Sequence, residues 1–90
     1  MITFSSSHDK EIDLIALNEQ ERKIMFVECK WKSNVNAKKV LVELKEKAKS
    51  VEWHKKNRKE YYCIFAKSFK RKLKVKDVFL FDLKDFKKLR

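Results

Sequence analysis

Ninety residues, 43% hydrophobic and 12% aromatic, make one small domain with enough apolar material for a core, which argues against disorder despite 41% charged residues. The formal charge of +11 is unevenly placed: residues 1–31 hold four basic and six acidic side chains, and residues 32–90 hold twenty basic and seven acidic. No apolar run nears the roughly 20 residues that span a bilayer and no signal-peptide pattern opens the chain, so a soluble cytoplasmic protein is the expectation.

A basic body beside a small acidic cluster suits a polyanionic partner, and equally suits a Lys-rich solvated surface. Glycine and proline are both absent. Turns must then be made by Asn, Asp, Ser and Lys, whose conformational range is narrower than that of glycine. With the Lys and Glu enrichment this resembles the composition of a thermophile's protein. It also suggests a fragment or a trimmed domain. Cys29 and Cys63 lie in separate apolar runs, and His8 and His54 complete no zinc-like spacing with them. Both thiols are expected to be buried and reduced.

In chain order, Met1 to Phe4 reads as an edge strand or its remnant, and Ser5 to Asp9 as a turn. Residues 11–17 alternate into a strand, and residues 18–23 form a polar connection of hairpin length. Residues 24–31 are the next strand, apolar on both faces in its first half, as in a central strand. Asn34 or Asn36 caps a helix whose apolar positions Ala37, Val40, Leu41, Leu44, Ala48 and Val51 recur every three or four residues. That helix is predicted to run to about residue 55, within the usual boundary error of such readings. Glu60 to Ala66 is a strand rich in aromatic and branched residues. Lys67 to Lys76 holds six basic residues and no acid. Val78 to Phe81 is a further strand, and Asp82 or Asp85 opens a short helix with Leu83, Phe86 and Leu89 as its stripe. An antiparallel hairpin followed by a helical crossover implies an α/β fold, a mixed sheet with helices against it.

Asp13, Glu28 and Lys30 interrupt otherwise apolar strands. Side chains two apart in a strand project to one face, so Glu28 and Lys30 point the same way. Burying two carboxylates and an ammonium is costly without compensation, and a divalent metal is one compensation. If the strands pair with Asp13 near Glu28, the two carboxylates and the Cys29 backbone carbonyl present hard oxygen ligands suited to Mg2+ or Mn2+ with retained waters. Such an ion polarises a phosphoryl oxygen, and Lys30 is placed to orient the attacking water and neutralise charge.

The order Asp13, polar hairpin, Glu28-Cys29-Lys30, long helix and strand resembles the PD-(D/E)XK nuclease superfamily, which includes Holliday-junction resolvases and RecB-type nuclease domains. The stretches EIDLIALNEQERKIMFVECKWK and EYYCIFAKSF are closer to an uncharacterised domain at the C-terminus of archaeal ATPases. The resemblance covers about residues 10–90. It implies a restriction-endonuclease-like mixed sheet flanked by helices and hydrolysis of DNA phosphodiesters. Asp13 and Glu28 become metal ligands, and the catalytic set is Asp13, Glu28 and Lys30. It also implies that residues 1–90 are a single nuclease-like domain, a fragment or the C-terminal part of a larger ATPase. That superfamily's core opens with a helix carrying another acid, and only ten residues precede the motif here. The first core helix is thus missing from these residues: either it lies in missing sequence, or Asp9 or Glu11 does that acid's work, or nothing does.

Each reading has a plainer counterpart. Asp13, Glu28 and Lys30 also make sense as a partly buried ion-pair network. Of the helix residues flanking the site, Glu43, Glu46 or Lys47 could reach it, although an i,i+4 pair of Glu43 with Lys47 explains those two as well. The segment Lys67, Lys70, Arg71, Lys72, Lys74 and Lys76 is either a phosphate-backbone grip or a soluble loop. Trp31 reads as core packing before base stacking, and Trp53 as a packing anchor or a self-association surface. His8 and His54 read as incidental. A non-catalytic module docking DNA or the ATPase portion of a longer chain is the rival function. Sheet left bare by the missing helix favours a homodimer.

Overall fold

The computed structural model describes residues 2–5 and 12–88. The elements are β1 (Ile2–Ser5), β2 (Leu14–Asn18), β3 (Lys23–Lys30), α1 (Ala37–Ala48), β4 (Lys59–Ala66), β5 (Val78–Phe81) and α2 (Leu83–Lys87). The five strands lie in one sheet in sequence order. β1, β2 and β3 pair antiparallel, whereas β3, β4 and β5 run parallel. Connection length dictates this. The turn between Asn18 and Lys23 is short enough only for a hairpin, and the segment between β3 and β4 is long enough for a helical crossover. The expected mixed α/β architecture is therefore observed. Among the described residues no helix is long and apolar enough to cross a membrane.

Strand alternation decides which face is covered. In β3, Ile24, Phe26 and Glu28 are buried, while Met25 and Val27 are half-buried and Cys29 is exposed. The buried set faces α1, whose Val40, Leu41, Leu44 and Ala48 join Ile15, Ile24, Phe26, Tyr62, Ile64 and Ala66 in one core. The loop after β4 closes the far end, where Val35 pairs with Phe69.

The opposite face is thinly covered. In register, Met25 lies beside Tyr61, Val27 beside Cys63 and Cys29 beside Phe65. Phe79 and Phe81 continue that face on β5, stacking on Tyr61 and Phe65 at 6.4 and 5.4 Å. α2 lays Phe86 on Phe65 at 5.8 Å, and Trp31 meets Phe86 edge-on. Phe79 and Phe81 remain 41% and 38% exposed, a contiguous aromatic surface of the kind that marks an interface.

This bare face corrects two expectations. Cys29 is exposed, and only Cys63 is buried. Trp31 is 47% exposed and belongs to the rim of the aromatic surface, not to the core.

Helix α1 starts as expected, with the Asn36 carboxamide accepting the Lys39 amide. It stops at Ala48, short of the predicted residue 55. The cause lies downstream: the Arg58 guanidinium donates to the carbonyls of Ala48, Val51 and Trp53, holding the chain in a turn where the helix would have continued. α2 begins at Asp82, which forms a reciprocal capping box with Asp85. Leu89, assigned to its stripe, lies outside the described residues, as do the turn residues Ser6 to Asp9. Without glycine, four residues among those described take positive φ: Arg22, Asn34, His54 and Asp77. Asn, Asp and His tolerate this conformation better than most, and Arg22 is the costly one.

Candidate functional site

The paired register ends with Leu14 opposite Val27, and Asp13 and Glu28 are the next residues at that end of the hairpin, near enough for the Asp13 charge to act on Glu28. Asp13 sits in a bend just before β2 and is exposed. Its Oδ2 accepts the Cys29 amide at 2.7 Å, which anchors the carboxylate across the strand from the Glu-x-Lys run.

Glu28 is the buried charged residue of the core, 5% exposed. Its Oε1 lies 3.0 Å from the Lys47 Nζ, a contact that comes from the helix and not from Lys30. Of the three helix residues placed near the site by sequence, Lys47 is the one that reaches it. Burial pushes the Glu28 carboxyl above its ordinary value. The Lys47 ammonium opposes that shift, the Asp13 charge adds to it and the Lys30 charge subtracts from it. All four charged groups are thus electrostatically coupled. Lys30 is half-buried on the same strand face as Glu28.

The donor set is small. Among the described residues no group of three or more His, Cys, Asp or Glu side chains is close enough to hold a metal ion. The oxygen donors are two carboxylates, with the Cys29 carbonyl between Glu28 and Lys30. Glu11 and Asp9, the alternative third acids, lie outside the described residues. Two acidic side chains plus a carbonyl fit Mg2+ or Mn2+, which keep several waters, better than zinc or calcium, which need a fuller protein shell. A like-charge pair with one member pushed upward by burial is also the electrostatics a divalent ion relieves.

The six basic residues after β4 do not form one cluster. Lys67 lies at the Lys30 end of the sheet, its amide bonded to the Lys32 carbonyl and its carbonyl to the Leu83 amide. The Lys70 amide bonds Val35 ahead of α1. Lys72 is tied to Asp82 and Asp85. Arg71 and Lys74 are exposed along the loop, and Lys76 sits at the far end, before β5. Lys67, Lys70 and Arg71 are therefore the members of this set nearest the Lys30 end in chain order, while Lys76 is remote from it.

His54 is not incidental. With Trp53 it binds the Glu19 carboxylate, at 2.9 and 2.8 Å respectively, and these two hydrogen bonds hold Glu19 below its ordinary value. This clasp ties the β2–β3 turn to the segment after α1. Cys63 is inert by position, since burial pushes its thiol up to about 11.

A family described as archaea bacterial proteins of unknown function, DUF234, matches residues 6–50, which include the whole hairpin, Asp13, Glu28, Lys30 and Lys47. An uncharacterised protein of Methanocaldococcus jannaschii is 42% identical over 79 residues, covering 86% of this chain. The matched region is 17% of that relative, so this chain spans about a sixth of its length. No solved structure matches. The hairpin that carries the candidate site and helix α1 both lie within the matched residues, and the chain belongs to the DUF234 family.

Proposed function

We propose that this chain is a nuclease-like domain of the PD-(D/E)XK type, hydrolysing DNA phosphodiesters with Mg2+ or Mn2+. The observation that carries the reading is the juxtaposition of Asp13 with buried Glu28 at the hairpin end, with Lys30 on the face of Glu28. In this reading Asp13, Glu28 and the Cys29 carbonyl hold the ion. When bound, it supplies a polarised phosphoryl oxygen and a water of lowered pKa.

The protein's own groups do the rest. The Cys29 amide fixes the Asp13 carboxylate through Oδ2. Lys47 compensates the Glu28 charge from inside the fold and holds the carboxylate in place. Lys30 orients the attacking water and offsets negative charge that grows on the phosphoryl oxygens. Lys67, Lys70 and Arg71 neutralise backbone phosphates as the strand approaches that end of the sheet, and Lys74 extends the contact. Lys72 contributes least, being engaged by two aspartates.

The test is cleavage of plasmid, branched and single-stranded DNA with either ion. Activity that disappears in Lys30→Ala and Asp13→Asn, while the fold is retained, is the expected result. Absence of cleavage on every substrate, or undiminished cleavage by Lys30→Ala, rejects the hydrolase reading.

The aromatic face favours a second reading, a non-catalytic docking module. Phe79, Phe81, Phe86 and Trp31 are exposed together. The relative, about five times as long as this chain, suggests an occupant, the remainder of a longer chain such as an ATPase portion. DNA binding that survives EDTA and Glu28→Ala, with no turnover, distinguishes this module from the enzyme. A homodimer through the same face is the alternative occupant.

A further inference from the structure

A cavity of about 640 Å³ lies on the β4–β5 side of the molecule, lined by Lys45, Lys49, Lys55, Arg58, Lys59 and Lys76, with Glu60, Tyr62, Asp77 and Val78. Neither Glu28, Asp13 nor Lys30 contributes to it. Lys45 and Lys47 are two positions apart on α1 and project to opposite flanks of the helix. Lys47 goes to Glu28, whereas Lys45 lies over the Tyr62 ring at 5.5 Å.

Each negative group in the wall already has a partner. Glu60 receives the Arg58 guanidinium at 2.7 Å and the Tyr62 hydroxyl at 2.6 Å. Burial alone would raise its carboxyl, but these two hydrogen bonds, together with the Arg58 and Lys45 charges, outweigh it and hold Glu60 below its ordinary value. Asp77 is paired with Lys59 at 2.6 Å. The carbonyl end of α1, which ordinarily repels anions, is occupied by Arg58, whose side chain is 1% exposed. Among the described residues, Lys45, Lys49, Lys55 and Lys76 make no ion pair with either of these two acids. Lys49 and Lys55 make only exposed pairs with Glu46 and Glu52, worth little in water. Lys76 has no partner among the described residues.

We infer that this cavity is a binding site for a multiply charged phosphate anion, held by Lys45, Lys76, Lys49 and Lys55. Its volume is that of a small-ligand site, and its wall offers ammonium donors from three chain segments with its acids already neutralised. Compact, mobile ammonium groups suit phosphate oxygens as point charges and set no planar geometry. The phosphates come either from a free polyphosphate tail or from neighbouring positions on a nucleic-acid backbone.

The site is tested by calorimetric titration with tripolyphosphate and with a short single-stranded oligonucleotide. Low salt and EDTA are used, so that the Asp13–Glu28 site has no ion and its failure as a nuclease has no bearing on the outcome. The Lys45→Gln/Lys76→Gln double variant is expected to weaken tripolyphosphate binding by roughly tenfold, the scale of losing two charged contacts. The charge-matched Lys38→Gln/Lys39→Gln variant, at exposed positions on the first turn of α1 that do not line the cavity, is expected to weaken it less than about threefold. Amide resonances of Lys76, Asp77 and Val78 should shift on titration, and thermal melts of both variants check folding. Competition by tripolyphosphate against the oligonucleotide identifies nucleic-acid phosphates as a source; tripolyphosphate binding without competition identifies a free polyphosphate. No tripolyphosphate binding at millimolar concentration, or equal weakening by the two double variants, overturns the inference.

Discussion

Replacing Glu28 by Gln separates a functional carboxylate from a structural one. In the folded protein Glu28 is 5% exposed, beside one ammonium at 3.0 Å and within the field of the Asp13 charge. Burial dominates and its carboxyl is raised. A folded state that binds this proton more tightly than the unfolded state loses stability as pH rises from the ordinary Glu range through the raised value. Above that value the loss is constant. At neutral pH the ionised carboxylate is therefore a net liability, and each tenfold change in proton affinity corresponds to about 1.4 kcal/mol. Glu28→Gln removes the charge and keeps the shape, so it is expected to stabilise the domain and raise its Tm at pH 7. The gain should fade toward pH 4, where the wild-type carboxyl is protonated. Lys47→Met should do the opposite, costing about 1–3 kcal/mol by leaving a buried carboxylate uncompensated. The double variant should lie near the wild type. Urea unfolding of the four proteins measures all of this. If Glu28→Gln destabilises by more than about 1 kcal/mol at pH 7 and the loss vanishes in the Lys47→Met background, the pair is an ordinary stabilising salt bridge and the argument for a frustrated site fails.

Three further outcomes are expected. Duplex DNA binding should weaken with salt, and Lys67→Ala and Lys70→Ala should each lower the log–log slope by about 0.9, whereas Lys72→Ala should change it less because Lys72 is engaged by Asp82 and Asp85; equal slopes for all three would show that the loop is not read as placed. Arg22→Gly should raise stability by about 0.5–1 kcal/mol in thermal unfolding, because Arg22 holds a φ of 54° that glycine adopts freely; a lower Tm counts against strain at that turn. Phe79→Ser/Phe81→Ser should reduce dye binding and any concentration-dependent association in light scattering with little loss of stability, since both rings are exposed; a large stability loss would mean that this face is core.

Much of the architecture was legible because it depends on local pattern. The apolar run in residues 24–31 anticipated β3, the three- and four-residue spacing from Ala37 anticipated α1, and Val78 to Phe81 matched β5. The end of α1 was not legible, since it is set by Arg58, which reaches back to the carbonyls of Ala48 and Val51. Cys29 and Trp31 were misread for one shared reason: an apolar run shows that a strand has two apolar faces but not that both are covered. Glu28 beside Lys30 suggested a pair along the strand, yet the rotation of α1 gives Glu28 to Lys47, and no sequence spacing fixes that rotation. The cavity was invisible for a related reason. Lys45, Lys59 and Lys76 are ordinary surface lysines in sequence and meet only when α1, β4 and the turn before β5 are packed together.

Binding of Mn2+ to the magnesium-free protein, followed by electron paramagnetic resonance across pH 4 to 8, tests the metal site most directly. One ion per chain is expected, with affinity rising as Glu28 gives up its proton from above the ordinary Glu range and levelling off thereafter. Asp13→Asn and Glu28→Gln should each abolish it. Binding that is absent, or that persists unchanged in both variants, would contradict a cation held between these two strands.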